Sequence, residues 1–74
     1  MTETIQIQGD FIKLDALMKF ASLVASGGEA KMAIADGLVS VNGEVCTMRG
    51  KKIHPGDTVS FCGQDLTVQS NGHS

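Results

Sequence analysis

The sequence predicts an α+β fold in which two short helices pack on one face of a small, mostly antiparallel sheet. The predicted order is β-α-α-β-β-β-β. Apolar residues recur with helical spacing in two consecutive stretches, residues 14–21 and 30–37. A polar–apolar alternation typical of a strand precedes them, and turn dipeptides separate the apolar runs that follow. The 74 residues make one domain over residues 1–69, with a thin core, because a chain of this size buries only about 60% of its unfolded surface.

The first strand and the first helix follow from residues 4–21. Thr4–Gln8 alternates polar and apolar residues, which predicts an edge strand with Ile5 and Ile7 facing the core. Helical i, i+3, i+4, i+7 spacing then predicts a helix of about two turns that begins near Lys13 or Leu14. Its apolar positions are Leu14, Leu17, Met18 and Ala21.

The second helix has a start signal and a stop signal. Ser26 is a good N-cap, and Glu29 stands three residues later, which is the spacing of a capping box. Ala30, Ala33 and Ile34 predict a buried face. Gly37 occupies the position where a left-handed C-terminal cap is expected.

Two hairpins are predicted after the helices. Asn42-Gly43, between residues 38–41 and 44–47, is the strongest short hairpin signal. Residues 58–62 and 65–69 predict a second hairpin around Gly63-Gln64. A two-residue turn there would set Phe61 opposite Leu66 and Val59 opposite Val68. Residues 70–74 hold no apolar side chain and are expected to form a disordered tail.

Composition excludes some classes of function but does not by itself indicate one. The net charge is −2, so charge alone does not predict nucleic-acid binding, although half of the six cations lie between Arg49 and Lys52. Neither a signal peptide nor a membrane-length apolar run is present in these residues, which predicts a cytoplasmic protein with Cys46 and Cys62 reduced. The three Phe are expected in the core, which disfavours base stacking.

The residues predict two binding segments and no catalytic or metal site. Gly27-Gly28 at the start of the second helix would let a phosphate approach the backbone amides, with Lys31 one turn further. The alternative is that the glycines only relax the turn between the helices. Residues 48–52 are expected to form an exposed loop. Its three cations either contact a sugar-phosphate backbone or only make the loop soluble. The two Cys and two His lack the close paired spacings of a zinc site.

Four motifs in order resemble the S-four RNA-binding domain, a family named after a small-subunit ribosomal protein and built on the αL RNA-binding motif. They are Lys13-Leu14-Asp15, Ser26–Lys31, Gly37–Gly43 and His54–Asp57, where the family typically has Arg-Leu-Asp, Ser-Arg-x-Glu-Ala-Arg, Gly-x-Ile/Val-x-Val-Asn-Gly and Lys-Pro-Gly-Asp. The match covers about residues 11–62, and the version of the second motif resembles the stand-alone bacterial YbcJ/YaaA-like subgroup.

The resemblance implies a small, non-catalytic, monomeric protein without cofactor that binds structured RNA such as rRNA or tRNA, in ribosome assembly or translation. Gly27 and Glu44 replace cations that are usual in the family, which leaves open a protein-interaction or accessory module with weakened RNA binding. The residues expected to bind RNA are Lys13, Lys19, Ser26, Gly27, Gly28, Lys31, Arg49, Lys51 and Lys52.

Overall fold

The computed structural model describes residues 2–70, which form two helices and seven strands. In chain order these are β1 Thr2–Ile7, β2 Ile12–Lys13, α1 Leu14–Phe20, α2 Gly27–Ala35, β3 Val39–Val41, β4 Glu44–Val45, β5 Lys52–Ile53, β6 Thr58–Phe61 and β7 Gln64–Ser70. The predicted α+β class is confirmed. Ser70, which the sequence assigns to the tail, is the last residue of β7 and lies opposite Ile7, while residues 71–74 lie outside the described residues.

Five strands form the main sheet, in the order β1-β7-β6-β3-β4. All neighbours are antiparallel except β1 and β7, which are parallel. The prediction that the first strand lies at an edge is confirmed, with Ile7 buried and Ile5 half-buried. Because β1 and β7 run the same way, the β6–β7 turn lies at the end of the sheet where β1 begins. The chain enters β2 from the opposite end.

Local signals set the bounds of α2. The Ser26 Oγ accepts a hydrogen bond from the Glu29 N–H at 3.3 Å, as predicted, but the Glu29 carboxylate accepts from the Ala25 N–H at 2.6 Å, one residue before the expected partner. At the other end Gly37 has φ +76°. The Gly37 and Leu38 N–H groups donate to the Ile34 and Ala33 carbonyls at 3.0 and 3.1 Å, which is a Schellman cap.

Both hairpins form, but the register of the second differs from the prediction. Its turn is Cys62-Gly63, with φ +52° and +80°, rather than Gly63-Gln64, and Val59 lies opposite Leu66. A type I′ turn needs positive φ at both central residues, and here glycine supplies the second of them, so Gln64 is free to begin β7. The apolar residues still share one face, because pairing shifts by an even number of residues. The first hairpin turns at Asn42-Gly43 as predicted, with β4 two residues shorter than expected.

The core lies between the helices and the sheet. Its buried side chains come from both helices, the link between them and five of the strands: Ile7, Leu14, Leu17, Met18, Val24, Ala30, Ala33, Ile34, Val39, Val41, Ile53, Val59, Leu66 and Val68. The expectation that all three Phe belong to this core is wrong. Phe61 is partly buried against it, but Phe11 is 39% exposed and Phe20 is 62% exposed.

A two-stranded ribbon, β2 with β5, was not predicted. Ile12 pairs with Ile53 and Lys13 with Lys52, antiparallel. Lys52 is therefore a strand residue and not part of the expected loop of residues 48–52. The ribbon is anchored because Ile53 is fully buried, and its two residues per strand are too few to give a sequence period.

Candidate nucleic-acid interface

The exposed face of the β2–β5 ribbon holds two lysines directly opposite each other. Side chains alternate along a strand, so the inward Ile12 and Ile53 leave Lys13 and Lys52 on the outer face, and both are exposed. Residues opposite each other in an antiparallel pair have Cα atoms about 4.5–5.5 Å apart. Like charges in that position destabilise a sheet, so the arrangement favours an anion as a third component.

The loop before β5 is held against the start of α1. The Leu14 N–H donates to the Lys51 carbonyl at 2.9 Å, and the Asp15 N–H donates to the Arg49 carbonyl at 3.1 Å. Lys13, the N-cap residue, makes no side-chain cap, so loop carbonyls satisfy helix-start amides that would otherwise lack partners. The side chains of Arg49 and Lys51 stay exposed beside the ribbon. Lys13, Arg49, Lys51 and Lys52 are called the ribbon cluster below.

The remaining predicted residues lie around the start of α2. A Cβ built on Gly27 would meet Lys19 Cδ at 4.0 Å, so the Lys19 side chain passes beside this glycine. Lys31 stands four residues after Gly27 and therefore on the same side of the helix. The Glu29 carboxylate also lies here, where it competes with an incoming anion. Lys19, Ser26, Gly27, Gly28 and Lys31 are called the helix-start cluster.

The two clusters are joined by α1. Lys13 precedes the helix and Lys19 lies near its end, and seven helical residues span about 10 Å. Together the clusters contain all six Lys and Arg residues of the chain. The structure thus sorts the predicted residues into two groups along one helix, four cations in the first and two in the second.

Phe11 belongs to the same exposed face and was missed by the sequence reasoning. Lys52 Nζ lies 4.9 Å from the centroid of the Phe11 ring, a cation–π distance. The His54 ring lies 6.1 Å from it, tilted by 56°. The sequence signal was the position of Phe11 two residues before Lys13, which puts both side chains on one side of an extended segment, but using it required knowing that a strand begins at Ile12.

Asn42 and Asp57 have structural roles. The Asp57 carboxylate accepts from the His54 N–H at 2.8 Å and from the Asn42 side-chain amide at 3.2 Å. The Asn42 side-chain carbonyl accepts from the Thr58 N–H at 2.9 Å, so the Asn-Gly and Pro-Gly-Asp motifs are tied together. The backbone hydrogen bond from His54, and to a lesser extent the Asn42 amide, hold the pKa of Asp57 below its usual value.

Within residues 2–70, no group of three or more His, Cys, Asp or Glu side chains is placed to hold a metal ion. Neither of the helices in that range is long and apolar enough to cross a membrane. Cys46 and Cys62 are free thiols.

A model of the S4 domain matches residues 5–69, which is most of the chain. The chain belongs to the S4 domain family. It is 44% identical over 57 residues to the "Putative RNA-binding protein YbcJ" of Escherichia coli K12, covering 77% of this chain and 81% of YbcJ. It is 36% identical over 63 residues to the "Probable ribosome maturation protein RlbA" of Bacillus subtilis 168, covering 85% of this chain and 89% of RlbA.

The solution structure of E. coli YbcJ superimposes on this fold with a TM-score of 0.64 and 38% identity, covering 92% of this chain and 85% of that one. That structure is described as containing an αL motif involved in RNA binding. These matches confirm the resemblance that the four motifs indicated, including the stand-alone bacterial subgroup. The S4 domain match begins at Ile5 and so includes the second half of β1.

Proposed function

We propose that this protein binds structured RNA, such as rRNA or a tRNA-like fold, through the ribbon cluster and the helix-start cluster, without catalysis. The observation that carries the proposal is the Lys13–Lys52 cross-strand pair, flanked by Arg49 and Lys51, whose backbones are fixed to α1. Such a group costs stability in the free protein and gains favourable contacts with phosphates. Family membership and the names of YbcJ and RlbA support RNA as the partner.

The net charge of −2 is compatible with this role because the charge is unevenly distributed. Binding to a phosphate backbone depends on local cations and the counterions they displace, and not on the net charge of the chain. The name of RlbA supports a role in ribosome maturation. We also propose that the protein acts as a monomer in the cytoplasm; the two free thiols support that compartment.

Binding of the protein to folded rRNA and tRNA fragments tests the proposal. Four phosphates neutralised by the ribbon cluster give a slope of log affinity against log salt of about −3, so affinity should fall roughly 60-fold between 50 and 200 mM salt. The ribbon-cluster variant with all four cations changed to Gln should lose most of this slope. Each cation is also changed to Gln singly, and Gln64→Glu, at the far end of the sheet, is the net-charge control for these single variants. Affinity no better than millimolar, or independent of salt, would refute RNA binding.

A protein-interaction module is the second candidate, and one observation favours it. Leu38, Val45 and Met48 are 56%, 64% and 64% exposed, and Glu44 adds a negative charge to the same hairpin. If this function is the true one, changing Lys31, Arg49, Lys51 and Lys52 to Ala should leave the set of cellular partners unchanged. Loss of RNA crosslinking in that variant would instead support RNA binding.

A further inference from the structure

A groove of about 420 Å³ lies between the end of β1, strand β2 and the last residue of α1. Its lining is Gln6, Ile7, Gln8, Phe11, Ile12 and Phe20. The volume falls within the range of about 300–1,000 Å³ that is usual for small-molecule sites. None of the lining side chains carries a charge, so the groove suits a flat neutral group better than an anion.

The groove contains the two exposed phenylalanines of the chain. Phe11 is 39% exposed and Phe20 is 62% exposed. The fully buried side chains of the core are all aliphatic or methionine, so these two rings are left at the surface although the core is small. Single exposed apolar residues are normal on a protein surface, whereas two aromatic rings that line one groove mark a binding surface. Rings of this kind are the platforms on which nucleobases stack in proteins that bind unpaired RNA.

Polar groups in the groove match the edge of a base. Gln6 and Gln8, on either side of Ile7 in the chain, are both exposed and both line the groove. Each carboxamide both donates and accepts hydrogen bonds, as the Watson–Crick edges of bases require.

The groove is continuous with the basic surface. Phe11 lines the groove and at the same time lies under Lys52, which is itself opposite Lys13. A ligand that occupies both must present a flat ring beside negative charge. A nucleotide in a strand has this chemistry, since its base is flat and apolar on its faces and its phosphates lie on either side.

We propose that this groove receives one unpaired nucleobase of the bound RNA, stacked on Phe20, the more exposed of the two rings, while the adjacent phosphates lie against Lys13 and Lys52. The inference rests on the proposed RNA binding and adds that the protein prefers RNA with a loop or bulge over a continuous duplex. It reverses the expectation from sequence that the phenylalanines are core residues unable to stack.

Two RNA probes and a set of Phe20 variants test it. The probes are a hairpin with an unpaired loop and a blunt duplex of the same stem. Phe20→Ala should weaken loop binding by roughly fivefold or more, since a base–aromatic stack is worth about 1–3 kcal/mol, and leave duplex binding unchanged. Phe20→Leu, which keeps an apolar side chain on the helix, should weaken loop binding as well, and Phe20→Trp should restore it. Leu38→Ala removes exposed apolar surface elsewhere and should change neither affinity.

The outcomes separate the groove from RNA binding itself. Salt-dependent binding to both probes that is the same for wild type and all Phe20 variants would overturn the groove inference and leave the proposed function standing. If neither probe shows salt-dependent binding, both the proposed function and the groove inference are overturned. Concentration-dependent self-association in light scattering that Phe20→Leu abolishes would also overturn the inference, because the groove would then hold a second copy of the chain. A thermal melt followed by circular dichroism confirms that each variant is folded.

Discussion

Replacing Lys13 by Gln should stabilise the free protein and weaken its RNA complex. Lys13 lies opposite Lys52 and is also the N-cap residue of α1. Its positive charge is therefore repelled both by Lys52 and by the positive end of the helix dipole. A cross-strand pair contributes roughly 0.2–1 kcal/mol, and a charge at a helix terminus about 0.3–1 kcal/mol at low ionic strength. Both sites are exposed, so the sum is expected at the lower end, about 0.5 kcal/mol in favour of the variant.

The free energy of unfolding is measured by urea titration followed by far-ultraviolet circular dichroism, since the chain has neither Trp nor Tyr for intrinsic fluorescence. Urea is uncharged, so the ionic strength can be set separately at about 20 mM and 500 mM. At 500 mM the Debye length shrinks to about 4 Å, and the gain in stability should largely disappear. RNA affinity at 50 mM salt should fall, with the salt slope reduced by about one unit.

Lys52→Gln is the matched comparison. It relieves the same repulsion but removes the contact of Lys52 with the Phe11 ring, worth about 0.5–1 kcal/mol at an exposed site. Its stability should therefore stay close to that of the wild type. Destabilisation by Lys13→Gln, or a gain of equal size at both salt concentrations, would refute the electrostatic reasoning for the pair.

Three further predictions concern Gly27, Asp57 and Gly37. Gly27→Arg should tighten RNA binding at low salt roughly threefold to tenfold, measured by fluorescence anisotropy, because an added Cβ meets only Lys19 Cδ at 4.0 Å and the cation restores the family pattern. Asp57→Asn should flatten the acid dependence of stability in urea titrations: the carboxylate stabilises the fold at neutral pH, and the wild type loses that contribution as pH falls below the ordinary aspartate pKa of 3.8. Gly37→Ala should cost about 1–2 kcal/mol of unfolding free energy, because φ there is +76°.

Each of the three has a control on the same chain. Gln64→Arg adds the same charge far from both clusters and should leave RNA affinity unchanged, so equal tightening there would contradict a local effect at Gly27. Asp36→Asn alters an exposed carboxylate at the end of α2, and an equal change in acid dependence would argue against the Asp57 contacts. Gly28→Ala, in the first turn of a helix, should raise stability by up to about 1 kcal/mol, opposite in sign to Gly37→Ala.

Elements fixed by local chemistry could be predicted from the sequence. The bounds of α2 follow from Ser26 and Gly37, and the first hairpin follows from Asn42-Gly43, because each signal acts within a few residues. The second hairpin was predicted with the wrong turn, because Gly63 can occupy either central position and the sequence does not say which.

The ribbon could not be predicted because its two strands are about 40 residues apart in sequence and contain two residues each. This omission explains two other errors. If β2 is not known, Phe11 is predicted to be an apolar core residue, and if β5 is not known, Lys52 is assigned to a loop. All the cations of the candidate site could be named from the sequence, but their division into two clusters depends on backbone contacts such as Leu14 to Lys51.

A titration of the ¹⁵N-labelled protein with a folded rRNA fragment, followed by amide chemical shifts, tests most directly whether RNA binds at the two clusters. The largest shifts are predicted at residues 11–15, 26–31 and 49–54, and the amides around Cys62–Asp65 at the far turn should not move. Shifts centred on Leu38–Met48, or spread evenly over the sheet, would contradict the proposed interface.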